Sequence, residues 1–371
     1  MRGQAVLAAV GAIAMMAVGC KPLSAADNGD YRDDTASLQA QFDALVPGAT
    51  LTLEPRTYHH SGMLTVRTPN ITINGNGATI TATNDETSAV DILGDGITVT
   101  NVTLSAPTEG KRWMGEQQHK LVVKGQQATI SNVTVVGSAG AGIYLSGAQH
   151  FVVRDVTIIG TRADGLHMTG GSAFGQVDNV KTDQTGDDGV AVVSYDHDSA
   201  TCHDIVERNI TVGSTRWGRG ITVVGGNNVD IRHFSVANTS SAGIYIANEG
   251  NPFYTRSVER VTVADGTVTG ANWDNNIEQG AILVYSGNRG RFVHDVEVSA
   301  VTVNATSAHA NRNVAIVDET TGGDQAIHGI RLSDIHLTAT TVAPFYSNVP
   351  ATSYTIANWT NDGKHIDVGS N

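Results

Sequence analysis

One phrase recurs down this chain at nearly even intervals. It is a glycine followed by a short apolar run. It stands at Gly142-Ile143-Tyr144-Leu145, Gly165-Leu166-His167-Met168 and Gly189-Val190-Ala191-Val192. It returns at Gly220-Ile221-Thr222-Val223, Gly243-Ile244-Tyr245-Ile246 and Gly280-Ala281-Ile282-Leu283. Successive glycines are 23, 24, 31, 23 and 37 positions apart, so a unit of just over 20 residues repeats and some units carry insertions. A second phrase keeps the same rhythm: Asn101-Val102-Thr103, Asn132-Val133-Thr134, Asp155-Val156-Thr157 and Asn209-Ile210-Thr211. Its later copies, His233-Phe234-Ser235, Ala300-Val301-Thr302 and Asp334-Ile335-His336, are degraded.

Each unit holds two or three short runs of Val, Ile and Thr between Gly, Asn and Asp, the grammar of strand and turn. A unit this short cannot bury its own apolar face, so it must stack on copies of itself. The expected fold is therefore all-β, a single-stranded right-handed parallel β-helix. Propeller blades need about 40 residues or more, and the Leu/Asn spacing of leucine-rich repeats is missing. The pattern is clear from about Ile71. Before it, Leu38, Phe42 and Leu45 share one helical face, which predicts a short N-terminal capping helix over the open end of the stack. Beyond Thr340 the pattern fades, and residues 344–371 read as a terminal cover. The Asn-x-Thr triplets at Asn70, Asn101, Asn132, Asn209, Asn304 and Asn358 match glycosylation sequons, but their rhythm marks them as corners, where Asn can bond local backbone.

The first residues read differently. Arg2, an apolar run from Ala5 to Val18 and then Gly19-Cys20 have the form of an export signal. Ala17-Val18-Gly19-Cys20 resembles a lipobox, which makes Cys20 a candidate for lipidation. Residues 1–25 are thus expected to be a signal peptide, cleaved before Cys20 or near Ala26. Residues 27–371 are expected to be one β-helical domain, outside the cytoplasm, as a secreted or envelope-anchored monomer. The other thiol, Cys202, is expected to be packed. A net charge of -13 argues against nucleic acid or anionic lipid as partners, leaving the membrane only through a lipid anchor.

If one unit is one coil, residues before the recurring glycines form a column about 4.8 Å apart: Ala141, Asp164, Asp188, Arg219, Ala242. Asp187 stands beside it. His167, Tyr144, Thr222 and Tyr245 should share one pleat side. Gathered carboxylates raise one another's pKa, and glycoside hydrolysis needs one protonated carboxyl and one ionised. No cofactor is expected. Asp196-His197-Asp198 has the residue types of a metal site but reads as a solvated loop, and no metal site is expected. Insertions at 107–120, 196–204, 248–257, 272–279 and 286–291 carry Trp113, Tyr254 and Trp273, candidates for sugar-stacking walls.

From about Gly137 to Gly250 the chain resembles the β-helical glycoside hydrolases: the polygalacturonases of family 28, the dextranases of family 49 and the α-1,3-glucanases of family 87. The resemblance rests on Asp164-Gly165, Gly186-Asp187-Asp188, Gly218-Arg219-Gly220 and Gly243-Ile244-Tyr245-Ile246-Ala247. Arg219 stands where polygalacturonases have His, and Tyr245 and Ala247 stand where they have the Arg and Lys that grip a galacturonate. The resemblance therefore implies an inverting hydrolase of a neutral polysaccharide, with the longer Asp164 to Asp187 gap nearer the glucanases and dextranases. It implies Asp187 as general acid, Asp164 and Asp188 as holders of the attacking water, and Arg219, His167 and Tyr245 as sugar-positioning groups. Tyr195, Trp217 and Glu249 complete the expected substrate-binding set. A polysaccharide lyase or uronate epimerase on the same fold, and a non-catalytic glycan-binding surface β-helix, are the alternatives.

Overall fold

The computed structural model describes residues 32–320 and 325–368. Cys20 and the leader lie outside the described residues. The chain winds into coils whose strands pair in parallel with the coil before and the coil after. An 11-stranded sheet of short strands runs up one side, and a 17-stranded sheet wraps the rest. Among the strands of the described residues one pairing is antiparallel, Thr360–Asn361 with Lys364–His365, which ends the stack, and an isolated antiparallel bridge joins Tyr195 to Thr255.

Register follows the repeat. Leu121, Ile143, Leu166, Val190, Ile221, Ile244, Ile282 and Val314 are successive partners in the narrow sheet. All are buried. Each such aliphatic side chain contributes about 1.5–3 kcal/mol of transfer free energy. A shift of one residue in any coil would turn its apolar set outward, so register is strongly specified. The recurring glycines have a steric cause. A Cβ at Gly142, Gly165 or Gly189 would stand 2.8, 2.5 or 2.7 Å from the carbonyl oxygen of the glycine on the next coil. Only glycine lets the turns stack this closely.

The Asn-x-Thr phrase is the bend of the wide-sheet strands. Asn101, Asn132, Asp155 and Asn209 all have φ between 52° and 55°, the left-handed region that Asn and Asp tolerate best. Degraded copies bend the same way: His233, Ala300 and Asp334 also have positive φ. The corner reading expects the Asn side chains to bond local backbone. Instead they reach the neighbouring coil: Asn101 Nδ2 donates to Asn74 Oδ1 at 3.1 Å, Asn209 to Asp178 at 2.7 Å and Asn358 to Asp334 at 3.2 Å.

The capping helix spans Thr35–Asp43 and buries Leu38 and Phe42, with Leu45 packed against the same core. Coiling starts earlier than the sequence rhythm suggests. Thr50–Thr52 already pairs with Thr72–Asn74, and Leu64–Val66 begins the narrow sheet. That first coil carries an offset copy of the phrase, Gly62-Met63-Leu64, isolated from the regular series that starts later. At the far end Trp359 is fully buried against Phe345, as expected of a cover. Cys202 is packed, and burial pushes its thiol up to about 11.

One interior group breaks the apolar pattern. Glu207 is fully buried, and neither of its carboxyl oxygens has a hydrogen-bond partner. Burial raises its pKa from 4.5 to about 8. As pH rises above 4.5 the unfolded chain ionises this group while the folded chain keeps its proton. Stability therefore falls by about 1.4 kcal/mol for each pH unit climbed, until the folded group also ionises near pH 8. Glu207→Gln should raise the thermal midpoint, with a gain over wild type that is small near pH 4 and grows up to about pH 8. Melting curves across that range check it.

Candidate active site

The outer face of the narrow sheet carries the predicted row. Tyr144, His167, Ala191, Thr222, Tyr245 and Leu283 are successive partners on one pleat side. The turns that enter these strands stack as predicted. Gly142 N donates to Asp164 O, Gly165 N to Asp188 O and Gly189 N to Arg219 O, at 3.0, 2.9 and 3.0 Å. Hydroxyls lock each turn from within. Thr161 Oγ1 donates to Ala163 O, Thr185 Oγ1 to Asp187 O and Thr239 Oγ1 to Ser241 O, at 2.7, 2.7 and 2.8 Å.

These turns bring Asp164, Asp187 and Asp188 together, with one oxygen from each within 4.8 Å of the others. All three are buried, yet their surroundings differ. Asp164 Oδ2 pairs with His167 Nδ1, and its Oδ1 accepts the Asp188 amide at 3.1 Å. Burial would raise its pKa, but the bond and charge of His167 and the nearby Arg112 outweigh that and lower it. Asp188 Oδ1 accepts Arg219 N at 2.7 Å and its Oδ2 accepts Thr222 Oγ1 at 3.1 Å. Burial still leaves Asp188 raised, Arg219 partly offsetting it. Asp187 Oδ2 meets Arg112 Nη1 at 2.7 Å, while its Oδ1 is buried with no partner. Burial, then Asp188 and Asp164, push Asp187 well above the usual carboxylate range. Three neighbouring carboxyls are thus driven apart in acidity, which separates an acid from a base. The same three oxygens could ligate a divalent cation, but it would have to compete with Arg112 and the donors on Asp164 and Asp188.

Arg219, Tyr245 and Glu249 form one group beside the triad. Arg219 Nη2 and Tyr245 Oη both lie 3.1 Å from Glu249 Oε1, and the guanidinium sits 4.3 Å from the Tyr245 ring centre. They border a cleft of about 430 Å³, whose wall includes Phe253, Gln279, Tyr285 and Glu319. Tyr195 is half-buried, and burial, then Asp164 and Tyr144, raise its hydroxyl pKa. Trp217 is exposed, with Arg112 5.7 Å from its ring centre. The structure thus brings Asp164, Asp187, Asp188, His167 and Arg219 into contact, joins Tyr245 and Glu249 to them through Arg219, and sets Trp217 beside Arg112. Trp273 and Tyr254 are about half exposed, while Trp113 pairs with Lys111 at 4.1 Å. The Asp196 to Asp198 loop is braced by protein groups: Asp196 pairs with Arg291 at 2.6 Å, and Asp198 accepts Tyr195 N at 2.7 Å.

Three contributors escape the sequence reading. Arg112 comes from the insertion at 107–120, which no repeat positions. His119, Tyr144 and His167 stack face to face, with ring centres 4.1 and 5.1 Å apart. His119 Nδ1 accepts Ala141 N at 2.8 Å, and burial holds its pKa at about 3, so it is neutral. Arg162 is buried and braces the insertion through Lys111 O and Pro107 O at 3.0 and 2.9 Å. The visible signal for His119 is only its place one coil before Tyr144.

A coiled parallel stack with an acidic cleft on one sheet defines the class of extended right-handed β-solenoids. The chain belongs to the family described as the right handed beta helix region, whose model matches residues 59–203 and 119–322. Among solved structures it is similar to the catalytic domain of a GH87 alpha-1,3-glucanase in complex with tetrasaccharides, at TM-score 0.69 and 14% identity over 90% of this chain and 68% of that one. The catalytic unit of a thermostable GH87 alpha-1,3-glucanase from Streptomyces thermodiastaticus matches at TM-score 0.61 and 18% identity, over 90% and 66%. The A-module of a mannuronan C-5 epimerase from Azotobacter vinelandii matches at TM-score 0.62 and 16% identity, over 90% and 96%. At these identities the likeness shows the shared fold. No curated protein matches the chain in sequence.

His167→Ala should raise the pKa of Asp164, because burial would then act with less opposition. A depressed carboxylate stabilises the fold above its unfolded pKa and loses that stability as pH falls. The variant is expected to be less stable than wild type by about 1–3 kcal/mol at neutral pH, with the gap closing as pH drops below about 4. Urea unfolding at several pH values checks this.

Proposed function

We propose that the protein is a glycoside hydrolase acting on a neutral polysaccharide, an α-glucan. Asp187 is the proton donor to the leaving oxygen. Asp164 and Asp188 hold the attacking water and take its proton. The observation that carries this reading is the opposed acidity of adjacent carboxyls, Asp187 raised and Asp164 lowered. The spacing supports it as well. The alanine substitutions in the GH87 alpha-1,3-glucanase structures lie at three aspartates separated by 23 residues and then by one. Asp164, Asp187 and Asp188 have the same spacing.

The cations beside the cleft favour a neutral sugar. Arg112 is paired with Asp187, Arg219 with Glu249 and Arg312 with Glu278, and Glu319 adds a further carboxylate to the wall. Arg219 and Arg312 would have to leave their pairs to take a uronate, and Glu319 would repel it. The closest oxygens of the triad, within 4.8 Å, are nearer than the separation of about 6.5–9.5 Å in an inverting pair. Inversion on this site therefore requires the Asp187 carboxyl to swing outward when substrate binds. The export-type leader fits a secreted or lipid-anchored enzyme that meets glucan outside the cytoplasm.

A lyase or epimerase of uronate polymers is the second reading. It is favoured by the match that spans 96% of the epimerase module and by Arg112, a cation beside the triad that could face a carboxylate. An unsaturated, ultraviolet-absorbing product, or C-5 inversion without chain cleavage, would select it.

On α-1,3-glucan, Asp187→Asn should lose about 10²–10⁴-fold in turnover with little change in fold. Proton NMR of the wild-type reaction should show the β-anomer first, inverted from the α-linkage. Full activity in the Asn variant would exclude Asp187 as the acid, and an α-anomer formed first would exclude inversion.

A further inference from the structure

We infer that Arg112 is a positioning residue that restrains Asp187 before substrate binds and is displaced by the incoming sugar. The inference rests on the proposed hydrolase reading and deepens it. A proton donor must come within about 2.6–3.2 Å of the oxygen it serves. Asp187 has two oxygens to offer, and neither is open. Oδ1 is buried without a partner beside Gly218, where even an added Cβ would collide with it. Oδ2 is held by Arg112 at 2.7 Å. A leaving oxygen can therefore reach Asp187 only if Arg112 lets go of Oδ2.

The loop is built to present this side chain and then to receive it elsewhere. Residues 107–120 leave the coil and return. Their base is held by the buried Arg162, which pairs with Asp85 at 2.5 Å and donates to the carbonyls of Pro107 and Lys111. Trp113 N bonds Ala139 O at 2.9 Å on the other side of Arg112. Backbone on both sides of Arg112 is thus pinned while its side chain is partly exposed. The exposed Trp217 ring, 5.7 Å from the guanidinium, offers a resting place by cation–π contact.

Displacement also changes the charge balance on Asp187. Asp164 faces it from the preceding coil, Asp188 from its own turn, Arg219 from the next turn and Tyr195 from just past the far end of its own coil's strand. Asp164 and Asp188 favour a proton on Asp187, and Arg112 is the ion-pair partner that opposes them. When the sugar takes the place of Arg112, that opposition goes and the carboxyl holds its proton more firmly. The donor oxygen is then both open and protonated where it is needed.

The test has two parts on the full chain. The first is a double-mutant cycle of Arg112→Met and Asp187→Asn, read by urea unfolding near pH 8 and near pH 4. Coupling is expected to weaken from pH 8 to pH 4, because protonation of Asp187 removes the charge that Arg112 pairs with. Equal coupling at both pH values would overturn the inference, since a merely structural contact does not titrate. The second is the pH–rate profile on α-1,3-glucan. Arg112→Met should move the alkaline limb of kcat/KM, which reports the free enzyme, upward and lower KM, because no ion pair has to be broken, and should leave the kcat limb in place, while Arg112→Lys should keep the wild-type profile. An unmoved kcat/KM limb in Arg112→Met also overturns it. If no glucan is cut by any form, the hydrolase reading fails, but the cycle still reports on the ion pair.

Discussion

Hydrogen bonding between coils is the constraint on which this protein depends. Each backbone amide of a strand is satisfied by the coil above or below it, and that fixes the distance between successive turns near the strand spacing of about 4.8 Å. Period in the chain thus becomes adjacency in space. Asp164 and Asp188, 24 residues apart, are joined by a bond from the Asp188 amide to the Asp164 carboxylate. The glycines that follow them allow this spacing, since a side chain would strike the next coil's carbonyl. The same scaffold that packs Leu166 and Val190 inward presents His167 and Ala191 outward on the following residue.

Crowding carboxylates at such a spacing has an energetic cost, and the surrounding groups distribute it unequally. Asp164 is supported by His167 and a backbone amide. Asp188 is supported by the Arg219 amide and Thr222. Asp187 has Arg112 on one oxygen and nothing on the other. The carboxyl with the least support is the one whose pKa rises furthest, the condition for a proton donor. Strand register sets this asymmetry for two of the carboxyls and an insertion sets it for the third. The regular part of the fold supports Asp164 and Asp188, and an irregular loop supplies the one partner of Asp187.

Periodicity makes some of the molecule legible. The stack, the helix at Thr35–Asp43, the bends at Asn101 and Asn132 and the meeting of the three aspartates all follow from spacing and side-chain size. Other features carry no period. Arg112 reaches Asp187 across 75 positions of sequence, and Arg162 holds the loop that brings it there. Glu207 reads as one polar residue on a strand, and only its inward face makes it a buried acid. The first coil, Thr50 to Val66, reads as β structure from Thr50, but its lone Gly62-Met63-Leu64 copy stands outside the regular rhythm although it pairs like the others.

The amino-acid order by itself determined that this chain stacks, which side chains point inward, and that Asp164, Asp187 and Asp188 share one edge. Steric and hydrogen-bonding rules act locally and repeat, so a repeating sequence expresses them directly. The tertiary structure alone decided which of the three carboxyls has its pKa raised furthest and which side chain pairs with it. Acidity depends on desolvation and on charges brought in by loops whose path no repeat sets.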